Sequence, residues 1–255
     1  KFNCIVSDRP EEKLGFYLTN NPFCSSTLKP DLSVVSNYVY RDNFIVNKTI
    51  SINNITLTKA LDKLGIKSID WLKTDSQGID LRIFRSLEKT QQSRVLCVDF
   101  EPGLSASYEG EDTVFDILAY MDKMKGFWLT GFDVQGIYRG NRETYENLFD
   151  NFFYKKLAKV TLKKAPKWVE MCYLNSLNSS NNFTLREYLL GCIFSMTNKE
   201  YLNAIELADK GHAHFKDDIF LAIRKATMEA IKKDFVHKNL FKEFEKKVTG
   251  IFKRK

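Results

Sequence analysis

Asp75 and Glu101 are well suited to acid–base chemistry, because each follows a short apolar segment and begins a polar turn. Residues 69–72 precede Asp75 and residues 95–100 precede Glu101, and both segments have the composition of buried strands. In open α/β sheets, ligands bind beyond the carboxyl ends of the strands. Two carboxylates at neighbouring strand ends can orient an acceptor hydroxyl and remove its proton. The pattern therefore predicts a hydroxyl-binding site at this edge of a sheet.

Both carboxylates also suit purely structural roles. Asp75 precedes a helical pattern formed by Ile79, Ile83 and Leu87, and an Asp before a helix often caps it. Glu101 equally suits a carboxylate of a loop or of a helix start. The local pattern favours neither role at either position.

The elements that would position these residues indicate an α/β domain over residues 1–178. Further strands are predicted at residues 2–8, 14–18, 127–134 and 168–174, and residues 31–56 alternate like strands at a sheet margin. Helices are predicted at residues 56–64, 79–87, 114–124 and 145–157, and Gly65 ends the first of them. Strands that alternate with helices are typical of an α/β fold.

A Ser/Asn-rich linker at residues 175–182 separates this domain from a helical extension at residues 179–255. Thr184 and Glu187 form a capping box at the start of the extension. Further helices are predicted at residues 201–212 and 219–232, followed by an amphipathic terminal helix with a basic face. The extension is therefore expected to be a small helical bundle.

Residues 72–80 read LKTDSQGID and resemble the LKiDvEGaE signature of the FkbM-type methyltransferases, which use S-adenosylmethionine (SAM). Other segments resemble family segments in the same order, namely residues 56–61, 95–101, 115–121 and 126–129. The resemblance implies a Rossmann-like class I methyltransferase sheet and SAM as the cofactor. It also implies O-methylation of a hydroxyl on a sugar, a polysaccharide precursor or a related small metabolite.

The resemblance also implies roles for particular residues. Asp75 and Glu101 become the catalytic or acceptor-side carboxylates. Ser7 and Asp8 follow a segment that resembles the strand flanking the adenine of SAM, so they become the cofactor-side residues. Asp8 equally suits a turn before Pro10.

Two further residues are predicted to contact the acceptor. Residues 104–112 are polar and small, which is typical of a substrate-facing lid, and Tyr108 would be its aromatic platform. Trp128 is a second ring of interest, although aromatic residues more often belong to the core. Gln77 keeps a hydrogen-bond acceptor where the family usually has Glu, but an amide cannot act as a base.

Gln77 and Asp80 both depart from the acids that the family usually has at these positions. This departure favours an alternative from another functional class, a non-catalytic scaffold or binding protein with a degenerate methyltransferase fold. The chain also has no GxGxxG turn and begins with Lys1. We therefore expect a C-terminal portion of a longer protein, with the first two strands of the sheet absent and with weak or no binding of SAM by this chain alone.

Bulk properties suggest a location and partners. The five cysteines are scattered without a CxxC pair, which indicates buried thiols of a reducing cytoplasm and no metal site. His212 and His214 have a spacing compatible with a metal site, but no other residue completes the ligand set. The net charge of +7 is concentrated in the last helix, which predicts weak contact with an anionic membrane surface and no specific nucleic-acid partner.

Overall fold

The computed structural model describes residues 3–178 and 182–252, with side chains up to Val236, and has a mixed α/β architecture. The chain divides into two compact units between Ser176 and Leu177. The first unit contains two mixed sheets, and the second is helical.

A three-stranded sheet has the order β1-β3-β2. Its strands are β1 (Ile5–Ser7), β2 (Lys13–Thr19) and β3 (Val46–Thr56). β1 is parallel to β3, whereas β2 is antiparallel to β3.

The prediction of strands throughout residues 31–56 was wrong for the first half of that segment. Residues Leu32–Val35 form the short helix α1, and Arg41–Phe44 form a 3-10 turn. Asp31 accepts a hydrogen bond from Ser33 N as the N-cap of α1. Val35 and Phe44 are buried in a shared core, so the apolar residues of this segment serve helical turns and not a sheet.

The second sheet has the order β4-β5-β7-β6. Its strands are β4 (Trp71–Lys73), β5 (Cys97–Phe100), β6 (Phe127–Ile137) and β7 (Ala165–Asn175). β4 and β5 are parallel, and β7 is antiparallel to both β5 and β6. The carboxyl ends of β4 and β5 therefore lie at the same edge of the sheet.

The apolar run of β4 had suggested a strand that is covered on both faces, but only one of its faces is covered. Leu72 is buried, but Trp71 is 36% exposed and Lys73 is also exposed. β4 is the edge strand of its sheet, so only the face that carries Leu72 packs against the core.

Six helices complete the first unit besides α1. They are α2 (Leu57–Leu64), α3 (Asp80–Arg85), α4 (Lys89–Arg94), α5 (Val114–Met121), α6 (Arg142–Leu148) and α7 (Phe152–Thr161). The predicted ends of α2 are confirmed, since the Thr56 side chain accepts from Lys59 N and Gly65 has a φ of 64°. The single helix predicted at residues 145–157 is two helices, because Asn151 caps a new one.

The main core lies between the four-stranded sheet and helices α3 and α5. Phe84 of α3, Phe100 of β5 and Ile117 of α5 are almost completely buried in it. Phe84 and Phe100 meet edge to face, with ring centroids 5.8 Å apart. Each such buried side chain contributes about 1.5–3 kcal/mol by leaving water, so this packing holds the ends of β4 and β5 in place.

The second unit contains α8 (Leu185–Thr197), α9 (Tyr201–Phe215) and α10 (Ile219–Phe252). The predicted capping box of Thr184 and Glu187 is confirmed. The two helices expected after residue 219 are one continuous helix. Most of the predicted basic face lies beyond Val236, and the side chains there, including that of His237, are outside the described residues. Within the described part of the chain, no helix combines the length and apolar composition that a membrane span needs.

Candidate active site

The turn after β4 is attached to the neighbouring strand. Thr74 donates its backbone N–H and its hydroxyl to the carbonyl oxygen of Asp99, at 3.0 and 3.1 Å. Asp75 follows immediately and is exposed to solvent. The strand–turn–helix sequence thus presents Asp75 at the end of β4, where the sheet edge is open.

Asp80 joins the turn after β4 to the turn after β5. It is 1% exposed, and its Oδ1 accepts from Ser76 N at 2.9 Å and Ser76 Oγ at 2.5 Å, while its Oδ2 accepts from Glu101 N at 3.2 Å. Burial raises the pKa of Asp80, and these hydrogen bonds oppose the rise. The N-cap of α3 is Ile79, without a side-chain capping bond, so the interpretation of Asp75 as a helix cap was wrong.

A chain of hydrogen bonds holds the Asp75 carboxylate. Gln77 Nε2 donates to Asp75 Oδ1 at 2.7 Å, and Gln77 Oε1 lies 3.0 Å from the Tyr108 hydroxyl, which donates. The same hydroxyl is 2.9 Å from the carbonyl oxygen of Cys24, so its one hydrogen is shared between two acceptors. The amide of Gln77 is therefore oriented with its N–H groups toward Asp75.

Gln77 adopts an unusual backbone conformation that this network supports. Its φ is 56°, in the left-handed region that non-glycine residues seldom adopt. Ser26 Oγ donates to the carbonyl oxygen of Gln77 at 2.7 Å, and Gly78 follows with a φ of 111°. Such strain persists where surrounding contacts fix the backbone, and it is frequent at functional sites.

Glu111 organises the loop at residues 104–112. Its carboxylate accepts from Gly103 N at 3.1 Å, Tyr108 N at 3.0 Å and Ser107 N. Burial raises the pKa of Glu111, while these backbone donors lower it. The loop is therefore anchored at several points, and the lid remains a prediction.

Tyr108 was predicted to be an exposed platform, and this was wrong. The side chain is 2% exposed and packs in the second core with Val35, Phe44, Ile79 and other apolar residues. Its ring lies 5.6 Å from that of Phe44. Tyr108 therefore contributes its hydroxyl, which meets Gln77, and not an open ring face.

Two concave regions flank Asp75 and Gln77. A groove of about 470 Å³ is lined by Ile5 and Val6 of β1 on one side and by Leu72 of β4 on the other. A larger cavity of about 630 Å³ contains Glu101 and Tyr108. Its wall also includes several aromatic and basic residues, namely Tyr40, Tyr138, Tyr145, Trp168, Lys164 and Lys167.

Glu101 lies at the end of β5 with its side chain half-buried. Burial and then the negative charge of Asp75 raise the pKa of Glu101. Within the described residues, its carboxylate makes no hydrogen bond or ion pair with another side chain. A half-buried carboxylate that is free of protein partners is available to a ligand in the cavity.

Lys167 places a buried amino group in the cavity wall. It is 2% exposed, and its Nζ donates to Ser105 O at 2.7 Å and to Ser105 Oγ at 2.9 Å. Burial lowers the pKa of Lys167, and the charges of Glu111 and Asp31 oppose this. The Nζ atom also lies 5.3 Å from the centre of the Tyr38 ring. Lys167 thus ties β7 to the loop at residues 104–112.

Comparison with known proteins gives a family match over the segment that contains Asp75 and Glu101. Residues 6–128 match the methyltransferase FkbM domain. This confirms the resemblance predicted from the sequence, and the family indicates methyltransferase activity. No curated protein and no solved structure gives a significant match to this chain.

Four of the six predicted site residues, Asp75, Gln77, Glu101 and Tyr108, line one cavity. Ser7 and Asp8 line neither this cavity nor the groove. Ser7 is buried, and its hydroxyl accepts a hydrogen bond from Arg9 N at 3.1 Å. Trp128 is also outside both regions.

Sequence reasoning missed several residues that shape the site. Asp80 was visible in the signature, but nothing local indicated that it would reach Glu101 N. Glu111 contacts Gly103, Ser107 and Tyr108 only because its loop folds back on itself. Tyr138 and Tyr145 come from β6 and α6, and no spacing signal connected them to Asp75.

The groove has only part of what a SAM site needs. Its volume is within the usual range for small-ligand pockets, and Ile5, Val6 and Leu72 provide an apolar wall. Among the described residues that line the groove, Asp75 is the one carboxylate, and none is a glycine. These residues therefore do not form a complete site for the ribose and methionine groups of SAM, and we derive no reaction step through the cofactor.

Proposed function

We propose that this protein is a SAM-dependent O-methyltransferase that acts on a hydroxyl of a sugar, a polysaccharide precursor or a related small metabolite. The observation that carries the proposal is the meeting of Asp75 and Glu101 in one cavity, at the ends of the parallel strands β4 and β5. Both residues lie within the segment that matches the FkbM domain.

Different surroundings give the two carboxylates different roles. Glu101 faces the cavity without a side-chain partner in the described part of the chain, so it is the residue that accepts the proton of the acceptor hydroxyl. Gln77 Nε2 donates to Asp75 Oδ1 at 2.7 Å and so fixes the plane of the carboxylate. The direction of the second oxygen, Oδ2, is thereby fixed as well. Asp75 therefore positions the acceptor, and positioning supplies much of the acceleration in a displacement reaction.

The cavity wall supports a polyhydroxylated acceptor. Tyr138 and Tyr145 stack on each other with ring centroids 5.4 Å apart, and both line the cavity with Trp168. Aromatic faces combined with a few polar groups suit sugar rings, which have apolar faces and polar edges. This supports a glycan or a related small molecule as the acceptor.

The cofactor proposal depends on the family match and not on a completed binding site. SAM would supply the methyl group when bound. Ser7 and Asp8 remain predictions for its adenine side, and their position away from the groove does not support them. A cytoplasmic location, the lack of a specific nucleic-acid partner and weak anionic membrane contact also remain predictions.

A non-catalytic scaffold is the second candidate. Gln77 cannot act as a base, and the hydrogen bonds of Asp80 commit its carboxylate to holding the two turns together. These observations allow a protein that retains the fold without the reaction. The two candidates differ in whether Glu101 matters for anything besides stability.

The test is methyl transfer from radiolabelled SAM to a panel of sugars and nucleotide sugars by the full-length gene product. Glu101→Gln is expected to abolish most transfer and keep the unfolding midpoint. Glu109→Gln is the matched control, because Glu109 is an exposed residue of the neighbouring loop that pairs with Lys29. Absence of SAM binding and of transfer by the wild-type protein would favour the scaffold.

A further inference from the structure

Three side chains on adjacent strands form a group outside the candidate active site. They are Cys97 and Asp99 of β5 and Cys172 of β7. One ligand atom from each of them lies within 4.8 Å of the others. None of the three lines the groove or the cavity.

We propose that Cys97, Asp99 and Cys172 bind a soft or borderline divalent metal ion such as Zn²⁺. Two thiolates and one carboxylate are a donor set that selects such ions over Mg²⁺ or Ca²⁺. The two thiolates and the carboxylate carry three negative charges together. A divalent ion neutralises two of them, which is the number that deprotonation of the thiols creates.

The separation of the two sulfur atoms agrees with shared coordination. Cys97 Sγ and Cys172 Sγ are 3.7 Å apart. Two metal–sulfur bonds of about 2.3 Å at a tetrahedral angle place the sulfurs about 3.8 Å apart. The thiols can therefore bind one ion with little movement.

A disulfide is less compatible with the strand register. Asp99 is directly opposite Cys172, and Cys97 is opposite Leu174, so the two cysteines are diagonal neighbours. Diagonal positions have Cα atoms about 7–8 Å apart, which exceeds the usual span of a disulfide. A metal ion that is coordinated by both sulfur atoms can span their separation, whereas a direct S–S bond cannot.

The surroundings of Asp99 also resemble those of a metal ligand. Its Oδ2 accepts from Trp71 Nε1 at 2.7 Å, and its backbone oxygen accepts two hydrogen bonds from Thr74. Such outer hydrogen bonds orient ligating carboxylates in metalloproteins. The hydrogen bond from Trp71 therefore fixes the Asp99 carboxylate near the two thiols.

The group is accessible from one face of the sheet. Cys97 is buried, but Asp99 and Cys172 are half-buried, and Gly131 pairs with Cys172 across β6 and β7. A Cβ atom at Gly131 would lie 3.3 Å from Cys172 Cβ, so the glycine leaves space beside the thiol. A side chain at position 131 would therefore crowd the thiol, and the glycine avoids this.

Binding must release protons, and this gives the proposal a quantitative signature. One M²⁺ replaces two thiol protons, which leave as 2 H⁺. The apparent affinity should therefore rise by about 100-fold for each unit by which the pH increases, as long as both cysteines are protonated in the metal-free chain.

The experiment titrates the reduced full chain with Co²⁺ and follows the thiolate-to-metal charge-transfer band, then displaces Co²⁺ with Zn²⁺. One equivalent of Co²⁺ should give the band, and Cys97→Ser and Cys172→Ser should each remove it. Cys4→Ser is the control, because Cys4 lies just before β1, outside the group of three residues, so its replacement should leave the band unchanged.

Trp71→Phe keeps an aromatic ring but removes the indole N–H that donates to Asp99. It should weaken Co²⁺ binding by about 10–100-fold, and it tests the site even if a cysteine variant does not fold. The proposal would be overturned if the wild-type chain gave no band. It would equally be overturned if the band survived both cysteine substitutions in folded protein, or if Trp71→Phe bound Co²⁺ as tightly as the wild type.

Discussion

Asp80 should stabilise the protein far more than its place in a short loop suggests. Replacement by Ala leaves Ser76 N, Ser76 Oγ and Glu101 N without their acceptor. Hydrogen bonds to a charged group are worth about 1.5–3 kcal/mol each, but the half-exposed Ser76 can recover water and the burial cost of the carboxylate disappears. We expect Asp80→Ala to lower the free energy of unfolding by about 3 kcal/mol.

Asp80→Asn distinguishes the contribution of the contact with Ser76 from that of the contact with Glu101 N. The amide keeps an oxygen for Ser76 but turns an N–H group toward Glu101 N, where two donors then face each other. The expected loss is about 1–2 kcal/mol. Asp116→Ala is the matched control, because Asp116 also accepts from one backbone N–H and one hydroxyl but is exposed. Its expected cost is about 1 kcal/mol.

Urea unfolding followed by tryptophan fluorescence measures these changes in the free energy of unfolding for the first unit of the chain. All three tryptophans, Trp71, Trp128 and Trp168, precede Ser176, so the signal reports the first unit and not the helical unit. A loss in Asp80→Ala no larger than that in Asp116→Ala would refute the assignment of Asp80 as the clamp between the two turns.

The same carboxyl should make stability depend on pH. The pKa of Asp80 is raised above its ordinary value of 3.8, so the folded state binds this proton more tightly than the unfolded state. The resulting stability is fully present below the unfolded pKa and is lost as pH rises through the folded pKa. The stability of the wild type relative to Asp80→Asn should therefore fall as the pH rises above the ordinary pKa of the carboxyl group. A constant difference over that range would contradict the raised pKa.

Five substitutions test the site and the backbone that supports it. Asp75→Asn and Glu101→Gln should each lower methyl transfer by about 10²–10⁴-fold at unchanged unfolding midpoints, as measured by initial rates. Gln77→Glu places a second carboxyl within hydrogen-bonding distance of Asp75, and the pair then shares a proton, so the pH–rate profile should change shape while the fold is retained. Gly78→Ala should lower the free energy of unfolding in urea by about 2–3 kcal/mol, because the added Cβ meets Leu28 at 3.0 Å. Gly110→Ala is the control, because Gly110 also has a positive φ but has open space around it, and its expected cost is about 1 kcal/mol.

The features that local chemistry determines were predictable from the sequence. Thr56 and Gly65 mark the ends of α2, and Thr184 with Glu187 begins α8, because caps depend on residues three or four positions apart. The signature around Asp75 also identified the family. These predictions needed no knowledge of distant contacts.

The features that depend on tertiary contacts were not predictable. The exposure of Trp71 follows from the position of β4 at a sheet edge, which its apolar sequence does not reveal. Tyr108 is buried because Glu111 fixes its loop and Phe44 packs on its ring. The proximity of Cys97 and Cys172, 75 positions apart, arises only from the pairing of β5 with β7.

SAM binding tests the central claim most directly. Calorimetric titration with SAM of the protein expressed from its complete gene should show a single binding site. Glu101→Gln in the same protein should retain that binding while losing methyl transfer. If the wild-type full-length protein releases no heat with SAM and shows no protection by it in thermal unfolding, the methyltransferase proposal is contradicted.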